Sequence, residues 1–215
     1  MKKTIFTAFI AFFAFINLNA QENDATTDYS KWQVRLRVIS IMPNESATIE
    51  TIGGDVEIGN AIVPELDFTY FFDKNWAAEL ILGTANHDVK AVSTAAGDIK
   101  LGDVWLLPPT LTLQYHFDAE TVRPYLGAGL NYTIFYGIDE GPVADSVDYD
   151  SSFGFAFQGG LDFDLDDKWF LNLDAKYILI NTDATIDATS ALGATVGADV
   201  DINPLVIGLG VGMRF

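Results

Sequence analysis

Apolar and polar residues alternate with a period of two in many stretches of this chain. In "WQVRLRV" (32–38) every second residue is apolar, and Gln33, Arg35 and Arg37 lie between them. A period of two is typical of a β-strand with two different faces and is far from helical spacing. The alternation predicts eight strands, at residues 32–38, 66–72, 76–85, 110–117, 123–136, 153–163, 169–179 and 205–215.

The connections between these strands alternate in length, which is a second and independent signal. Three are short polar turns, at residues 73–75, 118–121 and 164–168. Four are long and acidic, at residues 43–60, 86–109, 137–150 and 181–203. Short turns at one end and long loops at the other are the arrangement of an outer-membrane β-barrel. The sequence therefore predicts an all-β, eight-stranded antiparallel transmembrane barrel with short periplasmic turns and long extracellular loops.

A soluble barrel or sandwich also alternates, so the character of the two faces has to decide. The apolar face is the bulkier one, rich in Phe, Leu and Tyr, while the other face mixes Gly, Ala and Thr with charges. An eight-stranded barrel has room inside only for its own small side chains. The bulky face therefore points to lipid. Arg35 and Arg37 point to the lumen, since an arginine facing lipid at mid-bilayer costs about 2–4 kcal/mol.

The inward positions carry charges of both signs, and two interpretations of them remain open. They either form a plug of ion pairs, because unpaired buried charges are costly, or they line a polar path. Glycines at inward positions 127, 129, 154 and 160 remove side-chain volume and favour a path. The predicted lumen-lining charged residues are Arg35, Arg37, Glu65, Asp67, Glu79, Asp174 and Lys176.

The first twenty residues have the order of a secretory signal peptide. Lys2 and Lys3 precede an apolar run that ends before Ala20, and a polar segment follows. The predicted organisation is a signal peptide at 1–20, a short periplasmic segment at 21–31 and the barrel at 32–215. After residue 20 there is no apolar stretch of the roughly 20 residues that a membrane helix needs. The predicted location is the outer membrane, reached by export.

The charge of the chain and its lack of cysteine exclude one class of partner and one kind of covalent stabilisation. Without the two leader lysines, 10 basic residues stand against 30 acidic ones, so nucleic acid is excluded as a partner. The chain has no cysteine, so no disulfide supports the fold after export. The acidic stretch at 145–152 matches no known calcium loop, and solvated loop charge is the simpler interpretation.

Catalysis is not predicted, and neither is a cofactor. The two histidines, His87 and His116, fall near opposite ends of their strands, roughly a bilayer apart, so they cannot share one site. No nucleophile motif accompanies either of them. We therefore predict a protein that is not an enzyme.

Several stretches together resemble the outer-membrane protein W (OmpW) family: "LPPTLTLQYHF", "RPYLGAGLNYT", "SFGFAFQGGLDFDLDDKWFLN" and "DINPLVIGLGVGMRF". The resemblance runs from about Trp32 to Phe215. It implies a narrow barrel that lets small hydrophobic molecules pass the outer membrane, leaving sideways through the wall. The family's inward apolar residue of the third strand falls at Ile81. Lys176 beside Asp174 on the seventh strand departs from a wholly apolar constriction.

The predicted function is thus a passive outer-membrane channel for small, hydrophobic molecules. The alternative is a structural or interaction barrel that acts through its long acidic loops. Expected partners are outer-membrane lipids, lipopolysaccharide and the barrel-assembly machinery, whose recognition signal the terminal Phe215 resembles. The glycines at 208, 210 and 212 are inward positions of the last strand. That strand should pair with the first, where the glycines leave room for Arg35 and Arg37.

Overall fold

The structure, a computed structural model, describes residues 30–215. The predicted signal peptide and all but the last two residues of the predicted 21–31 segment lie outside the described residues. The described chain forms fifteen strands and one short helix. They are β1 (Trp32–Met42), β2 (Ser46–Ile49), β3 (Asp55–Ile58), β4 (Ala61–Phe71), β5 (Trp76–Gly83), β6 (Ala85–Thr94), β7 (Gly97–Leu107), β8 (Thr110–His116), β9 (Val122–Glu140), β10 (Ser146–Tyr149), β11 (Ser152–Asp164), β12 (Trp169–Ile178), β13 (Asn181–Ala188), α1 (Thr189–Leu192), β14 (Ala194–Asp201) and β15 (Leu205–Arg214).

Eight of the strands close into an antiparallel barrel, which confirms the predicted fold. Their order is β1, β4, β5, β8, β9, β11, β12 and β15, and β15 pairs back onto β1. Each coincides with one of the eight stretches in which the sequence alternates. Within residues 30–215, no helix is long and apolar enough to cross a membrane.

The two faces of the barrel follow the predicted polarity. Large apolar side chains such as Leu36, Phe155 and Leu209 are more than half exposed on the outside. Polar side chains with the opposite parity, Gln114 and Asn172 among them, are fully buried inside. An exposed apolar surface around a polar interior is the reverse of a soluble barrel and suits lipid.

Two periplasmic turns are fixed by an aspartate that accepts backbone N–H groups. Asp73 accepts from Asn75 and Trp76, and Asp166 accepts from Lys168 and Trp169, at 2.7–2.8 Å. These bonds lower the pKa of both carboxyl groups below the usual aspartate value, because they favour the charged form. The stabilisation is therefore present above the ordinary aspartate pKa and is lost as pH falls through the lowered one.

The seam between the first and last strands brings glycines opposite the arginines. Arg35 pairs with Gly212, and Arg37 pairs with Gly210. A Cβ atom at position 210 would collide with the carbonyl oxygen of Leu36 and crowd the Cα atom of Arg37. The absence of a side chain at this position therefore lets the two strands close the barrel.

Replacing Gly210 with leucine is expected to lower the free energy of unfolding by about 1–3 kcal/mol, the usual cost of overpacking an interior. A urea titration of the barrel in lipid vesicles, followed by tryptophan fluorescence, measures it. The control is Leu209→Ile on the lipid-facing neighbour, which keeps the apolar face. An unchanged free energy for Gly210→Leu would show that the seam does not need this glycine.

The long connections are not irregular loops but carry seven further strands that rise above the barrel. One sheet has the order β10, β13, β14, β2. The other consists of β3, β6, β7 and the upper part of β9. Buried aliphatic residues of the two sheets form one hydrophobic cluster together with the upper ends of the barrel strands. We call this region the extension; it lies at the extracellular end, opposite the short turns.

Candidate functional site

The eight predicted lumen residues all lie inside the barrel, each with an exposure of 5% or less. They come from four strands, β1, β4, β5 and β12, which the closed topology brings together around one axis. The eight are Arg35, Arg37, Glu65, Asp67, Glu79, Ile81, Asp174 and Lys176.

Of the three predicted lumen cations, Arg35 lies nearest the periplasmic turns. Its guanidinium contacts Asp67 at 3.1 Å, Glu79 at 2.7 Å and Asp162 at 3.4 Å. It also donates to the hydroxyl oxygen of Thr69 at 2.8 Å. These contacts join strands β1, β4, β5 and β11 through a single side chain.

Arg37 and Lys176 are the two cations nearer the extracellular extension. Arg37 contacts Glu65 at 2.9 Å and Asp67 at 2.8 Å. Lys176 contacts Glu65 at 2.6 Å and Asp174 at 2.9 Å. Glu65 therefore links the two cations. We call this network the polar plug; its members are Arg35, Arg37, Glu65, Asp67, Glu79, Asp162, Asp174 and Lys176.

Two aromatic rings occupy the space that inward glycines leave free. The ring of Tyr125 lies against Gly160, and that of Phe170 lies against Gly212. The Tyr125 hydroxyl donates to Asp174 at 2.6 Å, and the Arg35 guanidinium lies 5.6 Å from the Phe170 ring centre. Of the four glycines that favoured a polar path in the sequence, Gly160 has its free volume taken by the Tyr125 ring, and a Cβ atom at Gly129 or Gly154 would collide with a neighbouring backbone carbonyl oxygen.

The sequence analysis did not single out Asp162, Tyr125, Phe170 or Asn172, although all four are buried in the lumen. Their positions in the alternation of each strand would have indicated that they face inward. Phe170, for example, has the same parity as Asp174, but its aromatic character matches the lipid-facing set. Parity alone would have placed it correctly.

Above the polar plug, the extension encloses an apolar cavity of about 110 Å³. Glu65, Ile81 and Lys176 are among the residues at its lower boundary, so the cavity rests on the plug. We call it the apolar chamber. Representative wall residues from the two sheets are Val56, Val89, Ala91, Ile99, Val104, Ala184, Ile186, Val196, Ala198 and Val200.

Few polar side chains interrupt the chamber wall. His87 of β6 is 4% exposed, and its Nδ1 lies 2.7 Å from the carbonyl oxygen of Gly59. Tyr149 of β10 stacks on Phe135 with a centroid distance of 5.3 Å. Burial raises the pKa of Tyr149 to about 12, so its hydroxyl is neutral at physiological pH.

The second histidine lies elsewhere, in agreement with the sequence-based separation of the two. His116 is in the lower lumen, where its ring stacks on Tyr125 at 5.0 Å and its Nε2 lies 2.9 Å from Gln114 Oε1. His87 lies in the extension. A catalytic pair of histidines is therefore not formed.

The family model for the OmpW family matches residues 29–215, which include every described residue. This chain belongs to the OmpW family. As a member of this family with a closed β-barrel, it lies in the outer membrane.

Three relatives span most of this OmpW-family chain. The uncharacterized outer-membrane protein y4mB of Sinorhizobium fredii is 42% identical, covering 86% of this chain and 80% of its own. Outer membrane protein W of Vibrio cholerae is 34% identical, with 85% and 87% covered. The dibenzothiophene metabolism operon protein PahQ of Pseudomonas aeruginosa is 31% identical, with 86% and 89% covered.

A solved structure gives the same fold. The crystal structure of the outer membrane protein OprG from Pseudomonas aeruginosa superposes with a TM-score of 0.80 at 31% identity. The match covers 88% of this chain and 97% of OprG. The OmpW-family barrel and most of its extension are therefore shared between the two proteins.

Proposed function

We propose that this OmpW-family barrel is a passive channel through which small, hydrophobic molecules cross the outer leaflet of the outer membrane. The observation that carries the proposal is an apolar chamber resting on a polar plug. The chamber offers an apolar molecule a favourable transfer out of water. The plug offers an apolar molecule only buried charged groups. Such a molecule cannot replace the hydrogen bonds that these groups make with one another.

The same arrangement favours an exit through the wall rather than through the lumen. Pairing of β5 with β8 ends at Ile81 and Thr110, and pairing of β6 with β7 begins at Ala85 and Leu106. Residues 108–109 between them are both proline, which has no N–H for a strand ladder. The first of these prolines also lines the chamber. A hydrophobic molecule leaving here would enter lipid directly.

The names of relatives agree with this class of molecule. PahQ is named for dibenzothiophene metabolism, and dibenzothiophene is an apolar aromatic compound. The surroundings of the barrel follow from its place in the outer membrane: we expect lipids and lipopolysaccharide around the apolar belt. Recognition of the terminal Phe215 by the barrel-assembly machinery stays a prediction.

The alternative function is that of an interaction barrel that acts through its acidic loops. The structure affects how this alternative can be tested. Residues 86–109 form most of β6 and β7, which supply one wall of the chamber. Deleting them would therefore remove the chamber as well as any surface for a partner. Such a deletion does not separate the two functions, whereas substitutions inside the chamber do.

The proposal is tested with Gram-negative cells that lack their own member of this family, with and without this protein. Labelled toluene should enter several-fold faster when the protein is present, because the lipopolysaccharide leaflet is otherwise a polar barrier. Arabinose, a polar solute of similar size, should enter at the same rate in both. Equal toluene uptake in the two strains would overturn the proposal.

A further inference from the structure

His87 is the one imidazole in a chamber wall made largely of aliphatic side chains. It lies on β6 at the same parity as Ala85 and Val89, so its ring is on the chamber side of the sheet. Its Nδ1 is 2.7 Å from the carbonyl oxygen of Gly59. Because a carbonyl oxygen can only accept, Nδ1 carries the proton and donates this bond.

In the neutral imidazole, the other nitrogen then carries a free lone pair. Among residues 30–215, no donor is bonded to Nε2 of His87. His87 is nevertheless only 4% exposed and borders the cavity. An acceptor without a donor in apolar surroundings is unfavourable, and a ligand that brings a donor removes this cost.

The hydroxyl groups of the chamber's threonines are already engaged. Thr84 donates to the carbonyl oxygen of Leu106 at 2.9 Å, and Thr110 donates to that of Pro108 at 3.0 Å. Thr182 donates to the carbonyl oxygen of Asp150 at 2.7 Å. A hydroxyl group that donates can still accept, as the Tyr149 hydroxyl in the wall also can, but the basic imidazole nitrogen is the stronger acceptor. Nε2 of His87 is therefore the strongest neutral acceptor that the upper chamber offers a ligand.

The size of the chamber limits the rest of the ligand. Its volume of about 110 Å³ is close to that of an engineered apolar cavity of about 150 Å³ that binds benzene. One ring fits with a small adjustment of the walls. The aliphatic lining also requires that the ligand be uncharged, since a charge would lose its hydration there.

We propose that the chamber preferentially binds neutral, single-ring aromatic molecules that carry one O–H donor, phenols, and that His87 recognises the hydroxyl through Nε2. A phenol has a pKa of about 10, so it is neutral at physiological pH. The inference rests on the proposed function, because it names the ligand class of the same chamber. It adds a recognition residue that a simple apolar pocket does not need.

The test compares phenol with toluene, which has similar size and no donor. Full-length mature protein in lipid nanodiscs is titrated with each, and binding is followed by NMR of ¹⁵N-labelled histidine. The chain has two histidines, so His116→Phe both assigns the His87 signals and serves as the control. In the unsubstituted protein and in this control, phenol should shift the Nε2 resonance of His87, and toluene should not.

His87→Phe keeps a ring and removes the acceptor. It should weaken phenol binding about five- to tenfold relative to toluene, as loss of one neutral hydrogen bond predicts. His116→Phe should leave the ratio of the two affinities unchanged. Binding of both ligands in the His87→Phe variant is followed on the tryptophan and methyl resonances.

The outcomes separate this inference from the proposed function. Toluene binding with no preference for phenol, or a preference that survives in the His87→Phe variant, would overturn the role of His87 alone. No binding of either ligand by the unsubstituted protein would overturn both. If His87→Phe fails to fold, the ¹⁵N shift in the unsubstituted protein still decides: an Nε2 resonance that phenol leaves unmoved contradicts the proposal.

Discussion

Replacing Lys176 with methionine is expected to lower the free energy of unfolding by about 3–5 kcal/mol, the cost of removing one partner from a buried ion pair. Lys176 is 2% exposed and holds Glu65 at 2.6 Å and Asp174 at 2.9 Å. Methionine has a similar shape but no charge, so both carboxylates lose a counter-ion inside the barrel. Urea titration in lipid vesicles measures the change.

The chain contains a matched control at the periplasmic turns. Lys74 contacts Asp118 at the same 2.9 Å, but both side chains are about two-thirds exposed. Water and salt screen such a pair, so Lys74→Met should leave the unfolding transition essentially where it was. Equal effects of the two substitutions would mean that the plug is hydrated and that its charges do not depend on one another.

Replacing Ala91 with tryptophan is expected to reduce toluene uptake to the level of cells without the protein. Ala91 of β6 is 3% exposed and lines the chamber. The added indole group would occupy most of a cavity of about 110 Å³. The uptake assay with labelled toluene measures the loss, and the heat-dependent shift of the folded band on a gel reports assembly.

The neighbouring residue supplies the control. Lys90 follows the opposite parity, outside the chamber, where it pairs with Glu57 at 3.2 Å. Lys90→Trp adds the same group on the outer face and should keep uptake. If Ala91→Trp does not assemble, Ala91→Phe, which places a smaller ring in the chamber, is used instead. Normal uptake by a folded variant with a filled chamber would rule out the chamber as the route.

The barrel could be predicted from the sequence because its strands alternate between large apolar and polar residues. In "WQVRLRV" the contrast between Leu36 and Arg37 leaves no doubt about the two faces. The same alternation fixed the inward position of every predicted charge. The pairing of Arg37 with Gly210 followed from closure, since the last strand has to meet the first.

The extension was not predicted, although it also alternates. In "NTDATIDA" (181–188) the inward residues include Ala184 and Ile186, but Thr and Asp dominate the stretch. Small apolar residues among many acids give a weak contrast, and the segment was interpreted as a loop. The chamber itself depends on pairings such as β2 with β14 and β3 with β6, which join residues far apart in the chain. Periodicity carries no information about such pairings.

Only part of the polar plug could be predicted from the sequence, for a similar reason. Parity placed the charges inside, but it did not show which volume remained. That depends on Tyr125 reaching Gly160 and Phe170 reaching Gly212, across neighbouring strands. The distinction between a filled and an open interior therefore required the three-dimensional positions of two rings.

The most direct measurement locates a bound hydrophobic molecule in the barrel. Crystals soaked with iodobenzene and measured at a wavelength with strong iodine anomalous scattering would show where the ring resides. We predict one iodine peak in the chamber, between Val89 and Val200, that is absent from crystals of the Ala91→Trp variant. An iodine peak below Lys176, within the polar plug, would contradict the account, because the molecule would then use the lumen.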